Sequence, residues 1–74
     1  MDIRSLRLFL HLATSLHFGK TAEAMHVSNS TLTRSMQRLE DSVGSQLFTR
    51  DNRSVALTDS GKKLQSFAQQ TLEN

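Results

Sequence analysis

Residues 21–43 read TAEAMHVSNSTLTRSMQRLEDSV, and this stretch decides the fold. Apolar residues recur in its second half at steps of four, three and four, at Leu32, Met36, Leu39 and Val43. This spacing is typical of one buried face of an α-helix. The stretch therefore predicts two helices joined by a tight turn, of which the second is the longer.

The junction between these helices carries residues suited to a close crossing and a helix start. Ala22 has the small side chain that closely packed helices require. Met25 and Val27 bracket the turn and are predicted to face the same core as the helix that follows. Ser28 stands one residue before that helix, where its hydroxyl can accept a hydrogen bond from a free backbone N–H group. We therefore expect the second helix to begin at Asn29.

The side of the second helix opposite the apolar stripe is polar. At 100° per residue it carries Ser30, Thr33, Arg34 and Gln37, and the first acid on it is Asp41. Hydroxyls, an amide and a guanidinium suit the edges of base pairs and the phosphates beside them. A purely structural helix hairpin has the same periodicity, so the pattern predicts the helix pair and leaves its ligand open.

The composition narrows the class of protein. Seventy-four residues allow one small domain with a thin core, and the net charge of +2 is too small to indicate nucleic acid by itself. Cysteine is absent, which excludes disulfides, thiolate metal sites and cysteine nucleophiles. No apolar run approaches ~18 residues and no signal peptide opens the sequence, so we expect a soluble cytoplasmic protein without a membrane partner.

A first helix is predicted from Asp2, which can cap it, to about Ser15. Its apolar residues form two edges, one of Ile3, Leu6, Phe9, Leu10 and Ala13 and the other of Leu8, Leu12 and Leu16. Together they cover more than half of the helix circumference. One edge can supply the domain core, and we expect the other to stay uncovered until a partner helix packs on it.

A small hairpin is predicted after the long helix. Gly44 stands where a left-handed residue ends a helix. Residues 49–57 read as two short strands around Asp51 and Asn52, residue types that favour tight turns. Arg50 and Arg53 flank this turn. Two guanidinium groups at a turn are consistent with a ligand contact and also with ordinary solvated charges.

The last helix is predicted to begin after Thr58, a capping residue, with Asp59 in the first turn where the helix dipole favours an acid. One stripe of this helix carries Leu64, Phe67, Ala68, Thr71 and Leu72. The stripe continues to the end of the sequence. We therefore expect a domain at 1–57, a linker and dimerisation helix at 58–74, and a further domain outside this sequence.

The sequence lacks a pattern for catalysis or metal binding. His11, His17 and His26 lie six and nine residues apart on different predicted elements, which is no metal-ligand spacing. The neighbouring acids Glu40 and Asp41 point about 100° apart on a helix, whereas paired-carboxylate catalysis needs them to converge. We therefore predict no catalytic residues, no metal site and no enzyme activity.

The order of elements and a set of residues at fixed spacing resemble the N-terminal domain of LysR-type transcriptional regulators over essentially the whole chain. The residues that carry the resemblance are Phe18, Ala22, Met25, Val27, Ser28, Leu32, Arg34, Met36, Leu39, Glu40, Gly44, Leu47, Phe48, Arg50, Leu57, Thr58 and Gly61. The resemblance implies a mainly α fold: a winged helix-turn-helix with a three-helix core and a two-stranded β wing, followed by a long linker helix. It also implies sequence-specific binding of double-stranded DNA.

The resemblance implies roles for individual residues. Base contacts would come from a helix in the major groove, through Asn29, Ser30, Thr33 and Arg34. Contacts to the DNA backbone or the minor groove would come from Lys20, Thr31, Gln37, Arg50 and Arg53. The resemblance implies that the last helix pairs two chains, and the spacing of the apolar residues predicts that they pair through Leu8, Leu12, Leu64, Phe67, Ala68 and Leu72. The alternative is that Leu64 and Phe67 fold back on the core of their own domain. Such regulators act as dimers or tetramers, and a metabolite bound by a separate domain changes their contact with DNA and RNA polymerase.

Within the family, the stretches HFGK, AMHVS, STL, QRLE, RDNR and FAQQTL are most similar to the regulator of acetohydroxy acid isomeroreductase expression. This implies control of branched-chain amino-acid synthesis and an acetohydroxy acid effector for the full-length protein, with no cofactor in this chain. Departures from the family pattern are Asn29 and Ser30 for a frequent Gln-Pro, Thr33 for Ser, Gln46 for Pro and Thr21 for Ala. Because Asn reaches less far than Gln, we expect the bases contacted to differ.

A winged-helix module that pairs protein chains without binding nucleic acid is the alternative. The two interpretations differ in how charge is sorted over the surface. The basic side chains predicted on the reading edge are Lys20, Arg34, Arg50 and Arg53, and the acids predicted elsewhere are Glu23, Glu40, Asp59 and Glu73. A module that binds only protein has no need of this sorting, so it favours DNA binding.

Overall fold

Four helices and a two-stranded sheet form the part of the chain that the structure describes, residues 2–50 and 54–73 of a computed structural model. The elements are, in order, α1 (Ile3–Ser15), α2 (Phe18–Ala24), α3 (Asn29–Val43), β1 (Phe48–Arg50), β2 (Val55–Leu57) and α4 (Asp59–Glu73). The predicted mainly α fold is confirmed, with the helix pair, the hairpin and the last helix in the predicted order.

α1 and α3 begin at residues that the sequence marks as caps, and α3 also ends at one. Asp2 Oδ1 accepts a hydrogen bond of 2.7 Å from Ser5 N–H at the start of α1. Ser28 Oγ accepts one of 3.1 Å from Thr31 N–H at the start of α3. Gly44 follows α3 with a φ of 79°, a left-handed conformation that glycine adopts without a steric penalty. Local capping chemistry therefore sets the ends of α1 and α3.

One hydrophobic core joins the helices, and α1 lies at its centre. α1 contributes five buried residues, of which Phe9 and Leu12 are completely covered. α3 contributes three, Leu32, Met36 and Leu39. Burying one such side chain stabilises the fold by ~1.5–3 kcal/mol. The apolar stripe predicted on α3 is thus confirmed at these three residues, whereas its last predicted member, Val43, is 39% exposed.

α4 folds back against α1, and the edge that the sequence left open is buried at Leu8 and Leu12, while Leu16 remains 39% exposed. Leu8 is 3% exposed and Leu12 is 0% exposed, and both share one core with Leu64 and Ala68 of α4. The prediction that Leu8 and Leu12 stay uncovered is therefore wrong, because the stripe of α4 takes the place expected for a partner helix. The side chains of Leu64 and Ala68 are buried in the core of their own chain, which leaves them unavailable for the predicted pairing. Phe67, in contrast, is 54% exposed.

The hairpin is antiparallel, and its register pairs Phe48 with Leu57 and Arg50 with Val55. Each of its strands has three residues. The predicted turn at 51–52 and the predicted minor-groove residue Arg53 lie outside the described residues.

α4 begins in close contact with the segment before β1. Thr58 caps α4 by accepting a hydrogen bond of 3.0 Å from Gly61 N–H, and its hydroxyl donates to the Gln46 carbonyl at 2.6 Å. Thr58 N–H donates to the Leu47 carbonyl at 3.0 Å. A Cβ on residue 61 would overlap that carbonyl oxygen, so this approach requires glycine.

Candidate nucleic-acid interface

The outward face of α3 carries the four predicted base-contacting residues. Asn29, Ser30 and Arg34 are exposed and Thr33 is half-buried. Gln37, one turn after Thr33, is exposed as well. The opposite side of α3 is packed into the core, so the polar groups are presented by a firmly held helix. Their amide, hydroxyl and guanidinium groups match the donors and acceptors of base-pair edges.

Two hydroxyl residues hold the first turn of α3. Ser28 Oγ accepts a hydrogen bond from Thr31 N–H at 3.1 Å and donates one to Thr31 Oγ1 at 2.9 Å. The Thr31 hydroxyl is used as an acceptor in this pair, which leaves its own proton to donate. Phosphate oxygens accept hydrogen bonds, so half-buried Thr31 suits the predicted backbone contact.

His17 caps α2, a role that the sequence analysis missed. Its Nδ1 accepts a hydrogen bond of 3.0 Å from Lys20 N–H, which requires that nitrogen to be unprotonated. Lys20, a predicted backbone contact, is exposed in the turn that this bond holds. Serine, threonine, aspartate and asparagine are the usual caps, so a histidine at this position carries little signal in a single sequence.

Thr21 forms a buried polar contact between α1 and α2. It is 0% exposed, and its hydroxyl lies 2.8 Å from His11 Nδ1 and 2.8 Å from Ser15 Oγ. These bonds satisfy a buried hydroxyl that would otherwise cost free energy. In the sequence, Thr21 stands out only as a departure from a frequent alanine, because its partners lie six and ten residues earlier and no local pattern links them.

Arg50 is held within the chain at the start of the hairpin. Its guanidinium carbon lies 4.9 Å from the centre of the Phe18 ring on α2. Its Nη2 lies 3.8 Å from Glu40 Oε1 on α3. The prediction that Glu40 lies away from the basic residues is therefore wrong, because its side chain reaches across to the hairpin and stands beside Arg50.

A polar groove of about 400 Å³ runs between α3 and β1. Its lining residues are Gln37, Glu40, Gln46, Phe48, Thr49 and Arg50. Two predicted DNA contacts, Gln37 and Arg50, are thus brought to one groove. Arg53 lies outside the described residues, so its place at the interface stays a prediction.

Two of the three histidines take structural positions. His11 and His17 are engaged in the hydrogen bonds to Thr21 and Lys20. Within residues 2–50 and 54–73, no three His, Cys, Asp or Glu side chains are grouped so as to hold a metal ion. In the same part of the chain, every helix is too short or too polar to cross a membrane.

Comparisons with known proteins agree with this geometry. The family described as bacterial regulatory helix-turn-helix protein, lysR family, matches residues 3–62. The chain is similar to the HTH-type transcriptional activator IlvY of Salmonella typhimurium, with 62% identity over 72 residues, 97% of this chain and 24% of that protein. The HTH-type transcriptional regulator IlvY of Escherichia coli gives the same identity and coverage. The chain therefore spans about a quarter of the length of these curated relatives.

Solved structures extend the similarity to the fold. The CbnR_DBD-DNA complex matches with a TM-score of 0.93 at 34% identity, over 99% of this chain and 84% of that one. The BenM_DBD/catB site 1 DNA complex matches with a TM-score of 0.94 at 32% identity, over 100% of this chain and 82% of that one. Both matching chains are described in complex with DNA.

Proposed function

The chain belongs to the LysR family of bacterial regulatory helix-turn-helix proteins, and from this premise we propose that α3 enters the major groove of DNA while the hairpin meets the neighbouring minor groove. The chain is a DNA-binding domain homologous to the transcriptional activator IlvY. In the proposed arrangement the base contacts are made by Asn29, Ser30, Thr33 and Arg34, and the backbone contacts by Lys20, Thr31 and Gln37. Arg53 is the proposed minor-groove contact.

The observation that carries this proposal is the division of α3 into two sides. Leu32, Met36 and Leu39 are completely or almost completely buried, whereas Asn29 and Arg34 on the same helix are exposed. The long, capped helix is held by the core on one side and presents its polar groups on the other. A helix of this kind fits the major groove and can place its side chains against base edges.

The relatives also support a proposal for the whole protein. IlvY is named a transcriptional activator, so we expect a regulator rather than an enzyme, located in the cytoplasm. We propose that the full-length protein acts as a dimer or tetramer on double-stranded DNA, together with RNA polymerase, and binds a small effector in a separate domain. The resemblance to the regulator of acetohydroxy acid isomeroreductase expression makes an acetohydroxy acid the proposed effector and branched-chain amino-acid genes the proposed targets. Phe67 and half-buried Leu72 are the proposed pairing contacts on α4.

A specificity measurement tests the proposed reading of DNA. A binding site is first located by gel-shift titration of upstream DNA from the gene's own neighbourhood, and affinities for it and for random DNA are then measured by fluorescence anisotropy. Thr33→Ala should weaken binding to the specific site more than to random DNA, since a lost base contact costs ~1–3 kcal/mol of discrimination. Lys20→Ala, the matched control, should weaken both by the same factor and reduce the slope of log affinity against log salt by about one unit.

Two results would change the assignment. Equal losses on both duplexes for Thr33→Ala would place Thr33 among the backbone contacts. A chain that binds no duplex more tightly than random DNA would favour the protein-interaction module.

A further inference from the structure

The Glu40 carboxylate joins α3 to the start of the hairpin. Its Oε2 accepts hydrogen bonds from Leu47 N–H at 2.8 Å and from Phe48 N–H at 3.4 Å, and its Oε1 faces Arg50 at 3.8 Å. The Glu40 side chain is only 16% exposed. The helix dipole disfavours an acid in the last turn of a helix, so Glu40 does not stabilise α3 through its position on that helix. Its contacts all lead to the hairpin.

Arg50 joins the same hairpin to α2. Its guanidinium lies over the Phe18 ring at 4.9 Å and beside the Glu40 carboxylate, and its side chain is 35% exposed. A planar guanidinium can stack on a ring and pair with a carboxylate at once, which an ammonium group does less well. A phosphate that bound Arg50 would have to compete with the charge of Glu40. The contacts of Arg50 therefore connect the hairpin to α2 and α3.

The contacts of Glu40 and Arg50 add to the apolar contacts that fix the orientation of the hairpin. Each strand has three residues, and a two-stranded hairpin of this size is marginal on its own. Phe48 anchors its base, with its ring centre 5.5 Å from that of Phe9 and 6.4 Å from that of Phe18. At the outer end of β1, Arg50 adds contacts with Glu40 and Phe18, while Val55 and Leu57 of β2 pack against the hydrophobic core.

We propose that Glu40 and Arg50 are positioning residues that hold the hairpin at a fixed angle to α3 and so set the spacing between the major-groove and minor-groove contacts. This role rests on the proposed minor-groove contact of the hairpin. It replaces the backbone contact that the resemblance implies for Arg50. The helix pair α2–α3, which carries the proposed base contacts, then also determines where the hairpin touches DNA.

The test compares two duplexes that share the major-groove site and differ only in the flank that the hairpin would reach, one A·T-rich and one G·C-rich. An A·T-rich flank has the narrower minor groove and the more negative potential. Glu40→Gln keeps an oxygen acceptor for Leu47 N–H and removes the charge that faces Arg50. It should reduce the preference for the A·T-rich flank by roughly threefold or more, since the lost contacts are individually modest. Asp41→Asn changes the net charge equally from an exposed neighbouring position, and should leave the preference unchanged.

Arg50→Lys separates positioning from phosphate binding. Lysine keeps the positive charge, so a phosphate contact would survive with its salt dependence, whereas stacking on Phe18 would be weakened. We expect Arg50→Lys to lose flank preference and Arg50→Ala to leave the slope of log affinity against log salt unchanged. A slope reduced by about one unit in Arg50→Ala, with flank preference kept in Arg50→Lys, would make Arg50 a phosphate contact and overturn the proposal.

Hydrogen exchange supplies a readout that needs no DNA. The amides of Leu47 and Phe48 should exchange faster in Glu40→Ala, which removes their acceptor, than in the wild type, and at the wild-type rate in Asp41→Ala, while far-UV circular dichroism stays the same. Unchanged exchange in Glu40→Ala would mean that the Glu40 carboxylate does not hold the start of the hairpin.

Arg53→Ala distinguishes failure of the positioning role from failure of the minor-groove contact. If Arg53→Ala loses flank preference and both Glu40→Gln and Arg50→Lys keep it, the hairpin reads the minor groove but the positioning role is wrong. If the wild type has no flank preference, the proposed minor-groove contact is wrong, and the positioning role that depends on it is wrong as well.

Discussion

The two helix pairs of this molecule, α2–α3 and α1–α4, are built differently and leave different surfaces exposed. α1 and α4 each expose one large apolar side chain, Ile3 at 58% and Phe67 at 54%, among charged residues such as Arg7 and Lys62. The exposed surface at the start of α3 is polar and includes Asn29 and Arg34. The α1–α4 pair thus supplies most of the core, and the α2–α3 pair presents the groups that meet DNA. Substitutions of buried residues in the first pair should affect folding, and substitutions on the outer side of the second should affect binding.

The largest expected effect is loss of stability in the α1–α4 pair. Leu12 is completely buried, so Leu12→Ala should lower the free energy of unfolding by ~2–5 kcal/mol through lost burial and a residual cavity. Arg34→Ala, on the exposed side of α3, should change it by less than ~0.5 kcal/mol. Urea denaturation followed by circular dichroism measures both. Similar losses of unfolding free energy for the two variants would contradict the conclusion that one helix pair supplies the core and the other the binding surface.

Local patterns in the sequence were enough to predict most of the fold. The helix starts at Asp2, Ser28 and Thr58 depend on side chains that bond within three residues, and Gly44 ends α3 by its own backbone conformation. The stripe of α3 follows from the helical repeat alone. Features that depend on a residue and its immediate neighbours can be read from one sequence, because the repeat and the caps are themselves local.

Contacts between distant residues could not be predicted in this way. Glu40 bonds to amides seven and eight residues later, and Thr21 bonds to side chains six and ten residues earlier. The covering of Leu8 and Leu12 by α4 was missed for the same reason. Periodicity identifies an apolar edge but not the element that packs on it. The same pattern results whether a partner chain or a distant helix of the same chain covers the edge.

A smaller effect is expected at the apolar surface that α1–α4 leaves exposed. If Phe67 pairs two chains, Phe67→Glu should abolish a weak dimer and leave the urea transition within ~0.5 kcal/mol of the wild type. Gln69→Glu places the same charge at an exposed position of the same helix and is the matched control. Sedimentation equilibrium with and without a duplex of two half-sites measures the pairing, which DNA should strengthen by holding two copies together. A wild type that stays monomeric and fills the two half-sites independently would rule out this use of Phe67.

The smallest effect concerns the starts of α1 and α3, which differ in whether their caps titrate. The hydrogen bond from Ser5 N–H to the Asp2 carboxylate lowers the pKa of Asp2 from its ordinary value of 3.8. Because the pKa is lower in the folded chain, the cap stabilises α1 above pH 3.8, and this contribution is lost as the pH falls through the folded pKa. The Ser28 hydroxyl at the start of α3 has no charge to lose.

Amide proton shifts resolve this difference at each helix separately. The Ser5 amide should titrate with a midpoint below 3.8, and the Thr31 amide, which bonds to Ser28, should not titrate in the same range. Asp2→Asn keeps a side-chain acceptor at the cap and should abolish the Ser5 titration. A Ser5 midpoint at or above 3.8 would mean that the carboxylate does not hold the amide in solution, and α1 would then begin without the cap that its sequence predicts.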